Sequence, residues 1–174
     1  PIAAAYAADE ALAADACRED VAANPEAECY ICKNPAYWKG DLVRGCACRG
    51  PHAGFVHIRC LVKMAEVKGE DGDDEECWNA MRTCRQCQQE IRGPVSLACM
   101  RATWLHYAGH AEKNFWRQQA LFGLGAALID ADRLDEALIA NKEIVAMFGR
   151  IHGPDSVEMI QAEERLAILM RRQG

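Results

Sequence analysis

Eight side chains that can bind a thiophilic metal stand in four short pairs: Cys29-x2-Cys32, Cys46-x-Cys48, His57-x2-Cys60 and Cys84-x2-Cys87. The pairs are separated by 13, 8 and 23 residues. A Cys-x2-Cys turn lets two sulfurs converge on one ion about 2.3 Å away, and two such pairs complete a tetrahedral site. Four pairs therefore predict two structural Zn2+ ions, each closed to water and without a catalytic role. His52 is a rival for the fifth ligand position, but only His57 has a cysteine partner at knuckle spacing. Cys17, Cys77 and Cys99 fall outside the pairs and receive no role. His106 and His110 stand at helical i, i+4 spacing without a third ligand, and read as surface histidines. No side chain reads as catalytic.

The elements that must position these ligands differ along the chain. Residues 1–28 form an Ala-rich acidic segment, helical or disordered, which Asn24 and Pro25 close. Residues 29–92 hold the ligand pairs among Gly, Pro and Arg with little periodicity. Such a stretch cannot shape itself by burying apolar surface alone. The run from Glu70 to Glu76 reads as a solvated loop. Gly93-Pro94 marks the next break. From there the apolar positions recur at three and four residues, as in Leu121, Leu124 and Leu128. Helices are expected near 95–107, 113–130, 134–148 and 155–172, with Asp155 or Ser156 opening the last.

The 174 residues are 51% hydrophobic and 26% charged, the balance of a folded domain. Ten cysteines are too few for a secreted disulfide scaffold, which normally exceeds roughly 8–10% in a shorter chain. The apolar stretch 121–129 falls well short of the roughly 20 residues a membrane span needs. Without a recognisable signal peptide, the thiols are expected to stay reduced, in cytoplasm or nucleus. The chain begins on Pro1 rather than Met and is read as a piece of a longer protein, whose flanks are free to hold an anchor. The net charge is −6, yet residues 29–65 hold six bases against Asp41. Zinc with four thiolates leaves −2, and with three thiolates and an imidazole −1, so these bases read as offsetting the sites. Aromatic residues are not interleaved with them as in a surface that stacks on bases, and no nucleic acid is expected.

The ligand order, with Cys29-Tyr30-Ile31-Cys32, Cys46-Ala47-Cys48-Arg49-Gly50 and Phe55-Val56-His57-Ile58-Arg59-Cys60, resembles the RING-CH (RINGv) zinc finger. The resemblance implies interleaved ligation in a RING-like cross-brace. Zinc 1 would take Cys29, Cys32, His57 and Cys60; zinc 2 would take Cys46, Cys48, Cys84 and Cys87. It implies an E3 ubiquitin ligase that orients an E2-bound ubiquitin, with Ile31, Trp78 and Gln88 as contacts to the E2 enzyme. The gap from Cys48 to His57 is one longer than is usual in that family, and the last turn, Arg85-Gln86, lacks the Pro of many active RINGs. PHD histone readers share the ligand order but differ in the second pair's gap and in the place of Trp78. A non-catalytic zinc adaptor for protein–protein interaction is the alternative.

Residues 93–174 resemble a kinesin-light-chain-like tetratricopeptide (TPR) array, the matching words being Leu124-Gly125 and Asp135-Glu136-Ala137. Leu166-Ala167 recurs 42 residues after Leu124-Gly125. Asp132 stands where Gly is common in that family and Asn141 where an aromatic is common. The resemblance implies an all-α hairpin region, incomplete as an array, that docks a protein partner or substrate.

Overall fold

The computed structural model describes residues 2–35, 40–72 and 74–173. Among these, regular structure consists of seven α-helices, with two isolated antiparallel bridges and no strands. The helices are α1 (Ile2–Ala22), α2 (Ile58–Glu70), α3 (Asp74–Arg82), α4 (Gly93–Tyr107), α5 (Phe115–Asp130), α6 (Leu134–His152) and α7 (Val157–Gln173). The chain divides into two units, 1–103 and 104–174, with the division inside α4.

In the first unit, α1 is helical along its length and presents Asp9, Ala13 and Cys17 as buried positions at four-residue spacing. The buried Asp9 carboxylate accepts from Nε of Arg101 on α4 at 2.5 Å. Helices α2 and α3 pack together. Ile58, Cys60, Leu61 and Ala65 form the buried face of α2, while Cys77, Ala80 and Met81 are buried on α3. Thr103 Oγ1 donates to Cys99 O at 2.8 Å and lies 2.8 Å from Met81 Sδ, which ties α4 to α3. The expectation of a solvated loop through Glu70–Glu76 is corrected in its second half. Asp74 opens α3, and acids in a first helical turn face the positive end of the macrodipole.

In the second unit, α5 packs on α6 and α6 on α7. Asn114 caps α5 by accepting from the N–H of Arg117 at 2.9 Å. Ala120, Leu121, Leu124, Ala127 and Leu128 bury the face of α5 that the periodicity marked. A Cβ on the buried Gly125 would lie 3.1 Å from Nδ2 of Asn141 on α6, so the small residue sets the approach of the two helices. Asp132 turns the chain between them at φ 56, a left-handed conformation that Asp tolerates. Ser156 is the residue that opens α7, its Oγ accepting from the N–H of Met159 at 3.2 Å. The four helices expected from periodicity are all present, with ends displaced by up to four residues. No helix among the described residues is long and apolar enough to cross a membrane.

Candidate metal centres

The first and last pairs sit in the same turn, built twice. In the first, Lys33 N–H donates to Cys29 O at 2.8 Å and Cys29 N–H to Asn34 O at 3.0 Å. In the last, Gln88 N–H donates to Cys84 O at 2.8 Å and Cys84 N–H to Gln89 O at 2.9 Å. Both turns pass through a left-handed residue at φ 58, Lys33 in one and Gln88 in the other. This conformation folds the chain back so that Asn34 and Gln89 direct their N–H groups at the Cys32 and Cys87 sulfurs.

The two middle pairs lie in and just beyond one bridged loop. Val43 and Val56 exchange both backbone hydrogen bonds, at 2.9 and 3.0 Å, and enclose Cys46 and Cys48. The chain then enters α2, whose N-cap is His57 and whose first turn holds Cys60. The His57 side chain makes no capping bond to α2, because its ring faces sulfur instead. Tyr30 N–H donates to Phe55 O at 2.9 Å and fixes the first turn against this loop. Gln86 of the last turn accepts from the N–H of Gly54 on its other side.

Cys29, Cys32, His57 and Cys60 thereby form one group, and Cys46, Cys48, Cys84 and Cys87 a second. Within each, all ligand atoms lie within 4.8 Å of one another. Zinc bonds of about 2.3 Å to sulfur and 2.0–2.1 Å to nitrogen set tetrahedral edges of about 3.8 Å between sulfurs and about 3.6 Å between sulfur and nitrogen. Cys48 Sγ lies 3.7 Å from Cys84 Sγ. Nδ1 of His57 lies 3.4 Å from Cys32 Sγ and 3.6 Å from Cys60 Sγ. The residues present therefore fit two tetrahedral ions, and thiolate-rich donors of this kind suit zinc. His57 is fully buried, whereas His52 is exposed and belongs to neither group.

Electrostatics divides each group into harder and easier thiols to ionise. Burial pushes Cys60 up to about 12, with the charge of Cys29 adding to it. Burial likewise raises Cys46 to about 11 and moves Cys48 upward. The backbone N–H of Gln89 holds Cys87 down at about 7. At Cys32 desolvation works upward but is outweighed by hydrogen bonds from Asn34, and the thiol lies below its ordinary value. In each group one thiol is lowered by its turn, Cys32 or Cys87, while burial raises Cys60 in the first and Cys46 and Cys48 in the second.

The remaining sequence candidates are placed as follows. Ile31 is half-buried in the first turn, and Trp78 is half-buried on α3 with the Arg82 guanidinium 5.5 Å from its ring centroid. Gln88 is exposed, and its Nε2 donates to Arg85 O at 2.9 Å. With Glu76, Asn79, Thr83 and Arg85 it lines a polar hollow that Ile31 and Trp78 do not line. Cys17, Cys77 and Cys99 are buried outside both groups, and His106 and His110 are exposed. Sequence reasoning missed the duplicated turn, although a polar residue two places beyond each Cys-x2-Cys was its visible trace. It also missed Gly54, which passes so close to the second group that a Cβ would stand 2.9 Å from Cys46 Sγ. No family model matches the chain, and no curated protein or solved structure does so.

Proposed function

We propose that the chain is a RING-type E3 ubiquitin ligase, or the zinc-bearing subunit of one, with TPR-like helices that dock a protein partner or substrate. The observation that carries this reading is the alternation of the ligand groups: first pair with third, second pair with fourth. A RING cross-brace would require such alternation, which supports this reading. Bound zinc supplies shape alone, and structural sites of this kind contribute roughly 10–16 kcal/mol to folding in finger peptides. A ligase of this class needs no reacting side chain, since it acts by holding the E2-bound ubiquitin in a reactive orientation. Ile31 in the first turn is the E2 anchor, with Trp78 and Gln88 as further contacts.

One observation favours the non-catalytic adaptor as the second reading. The Gln88 amide donates to the Arg85 carbonyl of its own turn. Autoubiquitination of the zinc-loaded chain with a panel of E2 enzymes separates the two. Ligase action predicts E2-dependent chains that Ile31→Ala abolishes while both metals stay bound. Undiminished chains from Ile31→Ala would remove Ile31 as anchor, and no chains with any E2 would leave the adaptor.

A further inference from the structure

Helix α1 holds no metal ligand, yet it grips the loop that presents Cys46 and Cys48. The Arg44 side chain is 8% exposed and its donors are committed in two directions. Toward α1, Nε donates to Asp20 Oδ2 at 2.6 Å and Nη2 donates to Asp20 Oδ1. Toward its own loop, Nη1 donates to Gly50 O at 2.9 Å and to Ala53 O at 3.1 Å. The guanidinium also lies over the Phe55 ring, 4.3 Å from its centroid. One turn earlier on the same face of α1, Cys17 Sγ accepts from the N–H of Arg44 at 3.3 Å and lies 3.7 Å from its carbonyl oxygen. Arg44 is two residues before Cys46, Gly50 is two after Cys48, and Ala53 precedes the glycine that abuts both sulfur-bearing side chains.

We propose that α1 is a working part of the second metal group: Asp20 positions the Arg44 guanidinium, and Arg44 closes the loop that presents Cys46 and Cys48. The inference rests on the metal reading above and adds an asymmetry to it. Among the described residues, α1 reaches the neighbourhood of the first group through Tyr6 and Glu10, which both meet the exposed Arg59 side chain. Glu10 approaches Arg59 beside Cys60 only at 3.9 Å, with the Arg59 side chain 65% exposed, a geometry of little energetic weight. The forked carboxylate–guanidinium pair is the stronger kind of contact, and it serves the second group alone. A planar guanidinium can fork onto a carboxylate and still reach two carbonyls, whereas a lysine ammonium has no such planar fork.

The test uses the full chain loaded with two equivalents of cadmium-113 and read by NMR. A four-thiolate cadmium resonates downfield of one with three thiolates and an imidazole, so the groups report separately. Asp20→Asn is expected to broaden only the downfield resonance and to speed loss of that cadmium to a chelator about tenfold, as loss of a charge-assisted bond implies. Arg44→Lys repeats the effect, Asp20→Glu restores most of the parent behaviour, and Glu10→Gln on the same helix changes neither resonance. Equal acceleration at both groups, or at neither, overturns the proposal, as does failure of Asp20→Glu to rescue. A parent chain that yields neither resonance overturns the metal reading itself, which separates the two failures.

Discussion

Gly54→Ala probes whether the second ligand group sits where the fold places it. Gly54 adopts φ 80, and an added Cβ would stand 2.6 Å from Cys48 Cβ, 2.9 Å from Cys46 Sγ and 3.1 Å from Arg44 Cδ. Gly50, in the same loop, adopts φ 98 with nothing within 4 Å of the corresponding position. Both substitutions pay the left-handed penalty, about 1–2 kcal/mol. Only Gly54→Ala adds overlap, and relieving it to ordinary contact moves the Cys46 sulfur by about 0.5 Å. Metal–ligand distances tolerate only about 0.2 Å. Gly50→Ala is therefore expected to lower stability by about 1–2 kcal/mol while keeping two zinc ions. Gly54→Ala should lose that and the second ion as well. Native mass spectrometry counts the metals, and guanidinium unfolding gives the stability difference. Two retained ions and an unfolding midpoint equal to that of Gly50→Ala would refute the placement of Cys46 and Cys48 against this glycine.

Two further outcomes follow from ionisable groups. Asp9→Asn leaves the Arg101 charge buried and is expected to destabilise the chain by about 3 kcal/mol or more in denaturant unfolding, with Asp9→Leu/Arg101→Met recovering most of it. A cost near zero for Asp9→Asn would show that the pair is not the dry contact between α1 and α4 described above. The turn at 84–89 closes on its own hydrogen bonds, so in the metal-free chain Cys87 is held down at about 7, and its thiolate persists as pH falls to neutrality and is lost below it. Alkylation mapped by mass spectrometry should reach half its rate near pH 7 at Cys87 and stop there when zinc is added. A Cys87 profile centred on the ordinary thiol range would contradict the role of the Gln89 N–H.

The ligand pairs were legible because their signal is local: spacing within a turn is written in adjacent residues. The helices from α4 onward were legible for a related reason, since Leu121, Leu124 and Leu128 are apolar at helical spacing and buried as that spacing requires. Helix α1 hid its inward stripe because the stripe is Asp9, Ala13 and Cys17, a set whose burial depends on Arg101 and Arg44 rather than on hydrophobicity. Helix α2 hid its own because Cys60 serves both as a ligand and as part of the buried face. The contact between Asp20 and Arg44 joins residues 24 apart with no periodic trace, and only the fold reveals it.

The interleaving of the two groups has a simple origin in how the pairs are supplied. The turns at 29–34 and 84–89 close on themselves with two short-range hydrogen bonds each. The segment between Val43 and Cys60 has no such autonomy. Its bridge at Val43 and Val56, the Tyr30 bond to Phe55 and the Gln86 bond to Gly54 all come from elsewhere in the unit or span a loop. This one segment offers Cys46 and Cys48 from inside its bridge and His57 and Cys60 from just beyond it. A single loop laid between two preformed turns can serve both only by giving one pair to each. The pair nearer its tip meets the last turn and the pair at its exit meets the first. The alternation along the sequence is thus the linear trace of one loop shared by two like turns, and the polar stretch from 29 to 60 acquires its shape from what it must deliver to each.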